Sequence, residues 1–297
     1  MTCSSPNSHL VGLIGSGIRE SLTPAMHERE GEFHDMRYVY KRIDFSELDV
    51  DSSSLPELLT AAERMSFTGL NITHPCKQEI IQYLDDISDE AASIGAVNTV
   101  VLTAKGRVGY NTDGAAFLKS FQLELGQQPT DHIVLFGAGG AGTAIAHVMA
   151  GRLAKRLTVF DIRRERARKL VDVLRRKYPG LSVEVGDDKR AAVSVANGVI
   201  NATPIGMASE PGMVLSPKLL RPTMWVADAI YFPIETELLR IAKTIECPTM
   251  NGGRMAVFQA ADAFHLFTGV RPDSDRMLQH FDSLVRENRE TAQQGVV

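Results

Sequence analysis

Ile133-Val134-Leu135-Phe136 runs straight into Gly137-Ala138-Gly139-Gly140-Ala141-Gly142, and a helical segment from Thr143 to Leu153 follows. Few stretches constrain a fold this tightly. A short apolar run bounded by glycine reads as a buried strand. The glycines at 137, 139 and 142 fit G-x-G-x-x-G. In that pattern the first allows the tight turn, the second lets backbone approach a pyrophosphate, and the third lets the helix pack on the strand. The unpaired N–H groups of the new helix then favour an anion. Arg156-Leu157-Thr158-Val159-Phe160 reads as the next strand and ends on Asp161. That is the spacing, about twenty residues, at which a carboxylate meets a ribose diol. The pattern occurs once, so one dinucleotide is expected, bound by Gly137, Ala138, Gly139, Gly140, Ala141 and Asp161.

The chain has 297 residues, enough for two domains with separate cores. A net charge of -4 gives no basic excess for nucleic acid or an anionic membrane, so an anionic ligand would need local donors. The longest apolar run is broken by glycine and too short to cross a bilayer. Met1 to His9 lacks the regions of a signal peptide. Cys3, Cys76 and Cys247 show neither paired nor metal-ligand spacing, which points to a reduced, cytoplasmic protein with no metal.

Strands are expected at Leu10–Ile14, Tyr38–Ile43 and Gly69–Ile72, and a hairpin at Ala96–Leu102 with Arg107–Tyr110. Helices are expected from Thr23, with threonine as cap and Pro24 in the first turn, and over 55–65, 77–83 and 89–94. An apolar helix spans 115–125. Beyond the glycine turn come a charged helix over 163–176, strands near Val183, Val199 and Val226, helices near 191–196 and 236–245, a long apolar helix after Gly253, and a last helix to about Glu287. Thr291–Val297 reads as a structureless tail. Alternating strands and helices predict an α/β protein.

Polar residues gather at the predicted strand ends: Ser21 and Thr23; Asn71, Thr73 and Lys77; Asn98; Asn111 and Asp113. Ligands of open α/β sheets bind outside such ends. Each residue also has a plainer reading. Ser21, Thr23 and Asp113 suit helix caps, Asn98 and Asn111 suit turn backbone, and Lys77 suits a solvated first turn.

Seven ordered motifs narrow the choice: Ser21-Leu22-Thr23-Pro24, Asn71-Ile72-Thr73-His74-Pro75-Cys76-Lys77, Gly95-Ala96-Val97-Asn98-Thr99, Asn111-Thr112-Asp113, the glycine turn, Asn201-Ala202-Thr203-Pro204-Ile205-Gly206-Met207, and Gly253-Arg254-Met255 with Gln259. In these the chain resembles the shikimate dehydrogenase family, and its quinate/shikimate dehydrogenases in particular. The resemblance implies a two-domain α/β enzyme. An N-terminal substrate domain (1–112 plus 253–297) would hold an inserted, doubly wound Rossmann domain (113–252). It implies oxidation of the C3 hydroxyl of quinate or shikimate, in aromatic amino acid biosynthesis or quinate catabolism. Lys77 and Asp113 would form the catalytic dyad, and His74 would not be needed. Ser21 and Thr23 would hold the substrate carboxylate, and Asn71, Thr73, Asn98, Asp113, Tyr231 and Gln259 would read ring hydroxyls. Thr203, Met207, Ala229 and Gly252 would line the nicotinamide side. The helix carrying Gln259 would return to the N-terminal domain.

Two positions refine this. Many members carry serine where Thr23 stands, and the threonine resembles the quinate-using subgroup. NADP-dependent members carry an Asn-Arg-Thr turn where this chain has Asp161-Ile162-Arg163. A carboxylate accepts from a free diol and repels a 2′-phosphate, so NAD is expected over NADP, with Arg163 and Arg164 as the groups that could favour the phosphate. The partners expected are small acids, in a monomer or homodimer. The rivals are an NADP-linked biosynthetic shikimate dehydrogenase, a member acting on a modified shikimate, and a catalytically inactive dinucleotide sensor.

Overall fold

The computed structural model describes residues 7–294. It divides into two compact units, Met1–Thr112 with Val257–Val297, and Asp113–Ala256.

In the first unit, β1 (Ser8–Gly15), β2 (Arg37–Asp44), β3 (Gly69–Ile72), β4 (Asp86–Ile87), β5 (Thr99–Thr103) and β6 (Gly106–Tyr110) form one mixed sheet in the order β2-β1-β3-β5-β6-β4. β1 pairs in parallel with β2 and β3, whereas β5 pairs antiparallel with both β3 and β6. Side chains alternate across β1. Val11 and Leu13 enter a cluster with Tyr38, Tyr40, Phe264 and Phe267, and Ile14 enters one with Leu55, Leu59 and Leu70. A strand covered on both faces must be apolar, as β1 is from Leu10 to Gly15. The helices α1 (Thr23–Phe33), α2 (Phe45–Leu48), α3 (Leu55–Arg64) and α4 (Asp89–Ile94) complete this part.

The second unit runs α5 (Asp113–Leu125), β7 (His132–Phe136), α6 (Gly140–Arg152), β8 (Arg156–Phe160), α7 (Arg164–Lys177), β9 (Ser182–Val185), α8 (Lys189–Ser194), β10 (Gly198–Asn201), β11 (Trp225–Asp228), α9 (Glu237–Thr244) and β12 (Thr249–Met250). Its six strands are all parallel in the order β12-β11-β10-β7-β8-β9. That is the doubly wound arrangement of the Rossmann fold, with its switch point between β7 and β10. The unit boundary at Ala256 and Val257 falls inside α10 (Gly253–Thr268), and α11 (Ser274–Gln294) follows.

Three expectations are corrected. Thr23 does not cap α1: Leu22 occupies the cap with near-helical backbone, makes no side-chain bond, and leaves Thr23 inside the first turn. The helix expected over 77–83 is a turn followed by one 3₁₀ stretch, Glu79–Tyr83. The Lys77 carbonyl accepts from Val97 N, in the segment before β5, at 2.7 Å, which takes it out of a helical ladder. α11 continues to Gln294, through residues read as tail, and 295–297 lie outside the described residues.

His27 on α1 is fully buried against Tyr38, Tyr40, Phe264 and Phe267, with Nδ1 2.9 Å from the Tyr38 hydroxyl. Burial lowers it to about 3. The folded chain therefore holds His27 neutral, while the unfolded chain takes up a proton near 6.5. The stability this supports is present above pH 6.5 and lost as pH falls towards 3. The stability gap between wild type and His27→Phe should be smaller by about 2 kcal/mol at pH 5 than at pH 7. Urea unfolding at the two pH values measures it, and a constant gap refutes the neutral buried state.

Candidate active site

Topology gathers the polar residues of the first unit at one sheet edge. Parallel β1 and β3 both end there, so the segments after Gly15 and Ile72 leave together, with Ser16 N bonded to His74 O at 2.9 Å and Thr73 N to Ile14 O at 2.9 Å. Antiparallel β5 begins there, because Thr99 pairs with Asn71, and β6 ends there, because Tyr110 pairs with Thr99. Ser21, Thr23, Asn71, Thr73, Lys77, Asn98 and Thr112 thus arise from four strand ends, although 91 positions separate Ser21 from Thr112 (112 less 21).

Around that edge the side chains are fixed by each other. The Asp44 carboxylate receives Gly17 N at 2.9 Å and Ile18 N at 2.8 Å, which shapes the approach to Ser21. Ser21 Oγ lies 3.4 Å from Thr23 N, a weak contact. Asn71 Oδ1 accepts from the Tyr40 hydroxyl at 2.7 Å, and its Nδ2 donates to Asn98 O at 3.3 Å and Thr99 Oγ1 at 3.1 Å. Its amide hydrogens are therefore spent, and its capacity towards a ligand is as an acceptor. Asn98 Oδ1 accepts from Thr99 Oγ1 at 3.0 Å and Thr112 N at 2.9 Å, and Nδ2 donates to Thr112 Oγ1 at 2.8 Å and Gln259 Oε1 at 3.4 Å. The long bond to Gln259 is the one a hydroxyl could most readily replace. Asn111 keeps its plainer reading, with Nδ2 bonded to Ala96 O at 2.9 Å.

Lys77 is half-buried, and its backbone is pinned by Val97 N. The neighbouring Cys76 is wholly buried, and burial pushes its thiol up to about 12, as suits a packing residue. Asp113 opens α5 of the second unit and is buried. Among the described residues no group of acidic, histidine or cysteine side chains could hold a metal ion.

The second unit builds a nucleotide-shaped edge. Gly137 has φ +101°, and a Cβ there would stand 2.7 Å from Ala202 O. A Cβ on Gly142 would stand 2.0 Å from Gly137 O, so helix and turn touch as backbone. A Cβ on Gly139 would meet nothing within 4 Å, leaving open space over the turn. Gly139 caps α6 and has no side chain to bond the first-turn N–H groups. A closed turn, an open second glycine and an uncapped helix start fit a pyrophosphate.

Asp161 follows β8, and its two oxygens accept from Ala138 N at 2.7 Å and Arg163 N at 2.7 Å. The carboxylate is thereby tied to the glycine turn. Ile162 is fully exposed, and Arg163 presents an exposed side chain at the cap of α7. Arg164 pairs with Asp187. Thr203, Ala229 and Gly252 follow the ends of the neighbouring strands β10, β11 and β12: Ala229 N bonds Asn201 O at 2.8 Å, and Gly252 N bonds Ile230 O at 3.1 Å. Met207 sits on the turn after Thr203, bonded through N to Pro204 O at 3.0 Å. Tyr231 lies beyond β11, in the second unit with Asp113, whereas Asn71, Thr73, Asn98 and Gln259 belong to the first.

Sequence reading missed Tyr40, Asp44, Thr99 and Thr112, which orient the polar groups. Thr99 and Thr112 were visible inside their motifs, but nothing local distinguished Tyr40 from an ordinary strand tyrosine.

A family model described as the shikimate dehydrogenase substrate binding domain matches residues 13–100. The shikimate dehydrogenase (NADP(+)) of Streptomyces avermitilis is 47% identical over 281 residues, covering 92% of this chain and 94% of that protein. The quinate/shikimate dehydrogenase (NAD(+)) of Corynebacterium glutamicum strain R is 44% identical over 282 residues, covering 94% and 99%. The solved structure of quinate dehydrogenase from Corynebacterium glutamicum in complex with NAD superposes with a TM-score of 0.85 at 42% identity, covering 93% of this chain and 99% of that one.

Proposed function

The chain belongs to the shikimate dehydrogenase family, and we propose that within it this protein is an NAD-dependent quinate/shikimate dehydrogenase. It oxidises the C3 hydroxyl of quinate or shikimate, reversibly, to the 3-dehydro acid. The dinucleotide supplies the hydride acceptor. Ser21 and Thr23 hold the carboxylate of the acid through their hydroxyls. Thr73, Asn98 and Gln259 bond its ring hydroxyls, Asn71 accepts from one, and Tyr231 reaches the same ligand from beyond β11. Lys77 stabilises negative charge on the C3 oxygen, and Lys77 with Asp113 relays its proton.

Similarity alone leaves the cofactor open, because relatives of either preference align over nearly the whole chain. The Asp161 carboxylate carries the choice. Fixed between Ala138 N and Arg163 N, it is an acceptor for the adenosine ribose diol of a dinucleotide whose pyrophosphate lies on Gly137, Gly139, Gly140 and Ala141, and it repels a 2′-phosphate. The Arg164 pairing with Asp187 draws the second of the two candidate phosphate partners towards another carboxylate.

No helix among the described residues is long and apolar enough to cross a membrane. We place the protein in the cytoplasm, a reading supported by the free, buried thiols of Cys76 and Cys247, and take it to act as a monomer or homodimer.

Initial rates with quinate and shikimate, each against NAD and NADP, test the proposal. Turnover of both acids mainly with NAD is the expected result. Shikimate with NADP alone would overturn the cofactor and substrate choices, leaving a biosynthetic member of the same family.

A further inference from the structure

Asp228 ends β11 and takes no part in the chemistry above. Its side chain is fully enclosed. A buried carboxylate is costly unless hydrogen-bonded, and here neutral donors surround it. Asn201 Nδ2 at 3.1 Å and Ile230 N at 3.0 Å donate to Oδ1, and Thr236 Oγ1 at 2.8 Å donates to Oδ2.

Each donor belongs to a different segment. Asn201 ends β10, bonds Ile205 O at 3.0 Å, and accepts through Oδ1 from Thr203 N at 3.1 Å and Thr203 Oγ1 at 2.7 Å. Ile230 follows Ala229, and its carbonyl receives Gly252 N. Thr236 caps α9 through Leu239 N at 3.3 Å. One carboxylate therefore sets the 201–205 turn, the exit of β11 and the start of α9. The first two lie hard against glycine backbone. A Cβ on Gly137 would stand 3.1 Å from Thr203 Cγ2, and one on Gly252 would stand 2.4 Å from Ala229 O. A shift of either segment by an ångström would thus disturb the mouth of the nucleotide edge.

We propose that Asp228 is a positioning residue, which through Asn201 and the Ile230 amide holds Thr203 and Ala229 as the wall receiving the nicotinamide half of the dinucleotide. The inference rests on reading the second unit as an NAD site. The adenosine half is set separately, by Asp161 and the glycine turn. Asp228 should therefore act on one half of the ligand only.

Calorimetric binding of NAD and of ADP-ribose, which lacks the nicotinamide, separates the halves. Burial raises the Asp228 carboxyl to about 6, so the measurements are made at pH 8, with steady-state kinetics alongside. Asp228→Ala should weaken NAD roughly tenfold and lower kcat, leaving ADP-ribose within about twofold. Asp228→Asn keeps an acceptor for Asn201 and Ile230 and should restore most of the loss. Thr203→Val removes the hydroxyl bond to Asn201 at a half-buried position and should weaken NAD alone, whether or not Asp228→Ala folds. Equal weakening of both ligands, unchanged NAD binding in the folded variants, or an Asn variant no better than Ala would overturn the positioning role. Wild-type protein that binds neither ligand would overturn the dinucleotide reading and this inference with it.

Discussion

Lys77→Ala should lower kcat for quinate and shikimate by about 10²- to 10⁴-fold, the range of a positioned acid–base group, while calorimetry shows NAD binding unchanged. The size follows from two losses at one place: the charge that stabilises the developing alkoxide, and a link in the relay of its proton. The backbone that presents Lys77 should survive the substitution. It is held by Thr73 N to Ile14 O, by Cys76 N to Thr73 O at 2.8 Å, and by Val97 N to Lys77 O, none of which involves the lysine side chain. Lys77→Arg keeps the charge on a planar fork of different reach and should recover only part of the rate. Turnover of Lys77→Ala at the wild-type level would remove the lysine from the mechanism. Turnover absent from the wild type itself, with NAD still bound, would favour the sensor reading.

Asp161→Ala should shift the ratio of kcat/KM for NAD over that for NADP towards NADP by roughly 10- to 100-fold. A hydrogen bond to a charged group is worth about 1.5–3 kcal/mol, and a repelling charge is removed as well. The carboxylate also receives Ala138 N and Arg163 N, so the alanine variant loosens the glycine turn and should weaken both cofactors somewhat. The ratio cancels that common loss. Asp161→Asn keeps an acceptor without the charge and should fall between wild type and alanine. Exposed Arg163 is then the nearest cation along the chain for a 2′-phosphate, since Arg164 is paired with Asp187. An unchanged ratio in both variants would refute the role given to this carboxylate.

Much of the fold was legible because it is written locally. Gly69–Ile72, Asp89–Ile94 and the glycine turn carry their own periodicity and breakers, and they stand where the pattern puts them. The errors came where side-chain composition did not decide the path of the backbone. Thr23 has the chemistry of a cap, but the chain enters α1 through Leu22. The 77–83 stretch has helical composition, but Val97 claims the Lys77 carbonyl. For the site, the seven motifs named the residues and the resemblance supplied their roles. Neither indicated that the Asn71 amide hydrogens are spent on Asn98 and Thr99, or that Asp228 collects three donors.

By itself the sequence determined the α/β class, the strand–turn–helix around Gly137 and its acidic partner Asp161, because these depend on spacing within a few turns of chain. Only the tertiary structure decided that Ser21, Asn71, Lys77, Asn98 and Thr112 share one sheet edge. That outcome depends on β1 and β3 pairing in parallel while β5 and β6 reverse direction, a choice of partners and register made over tens of residues. It also decided which polar groups are already satisfied within the fold, since a donor finds its acceptor by position in space and not by position in the chain.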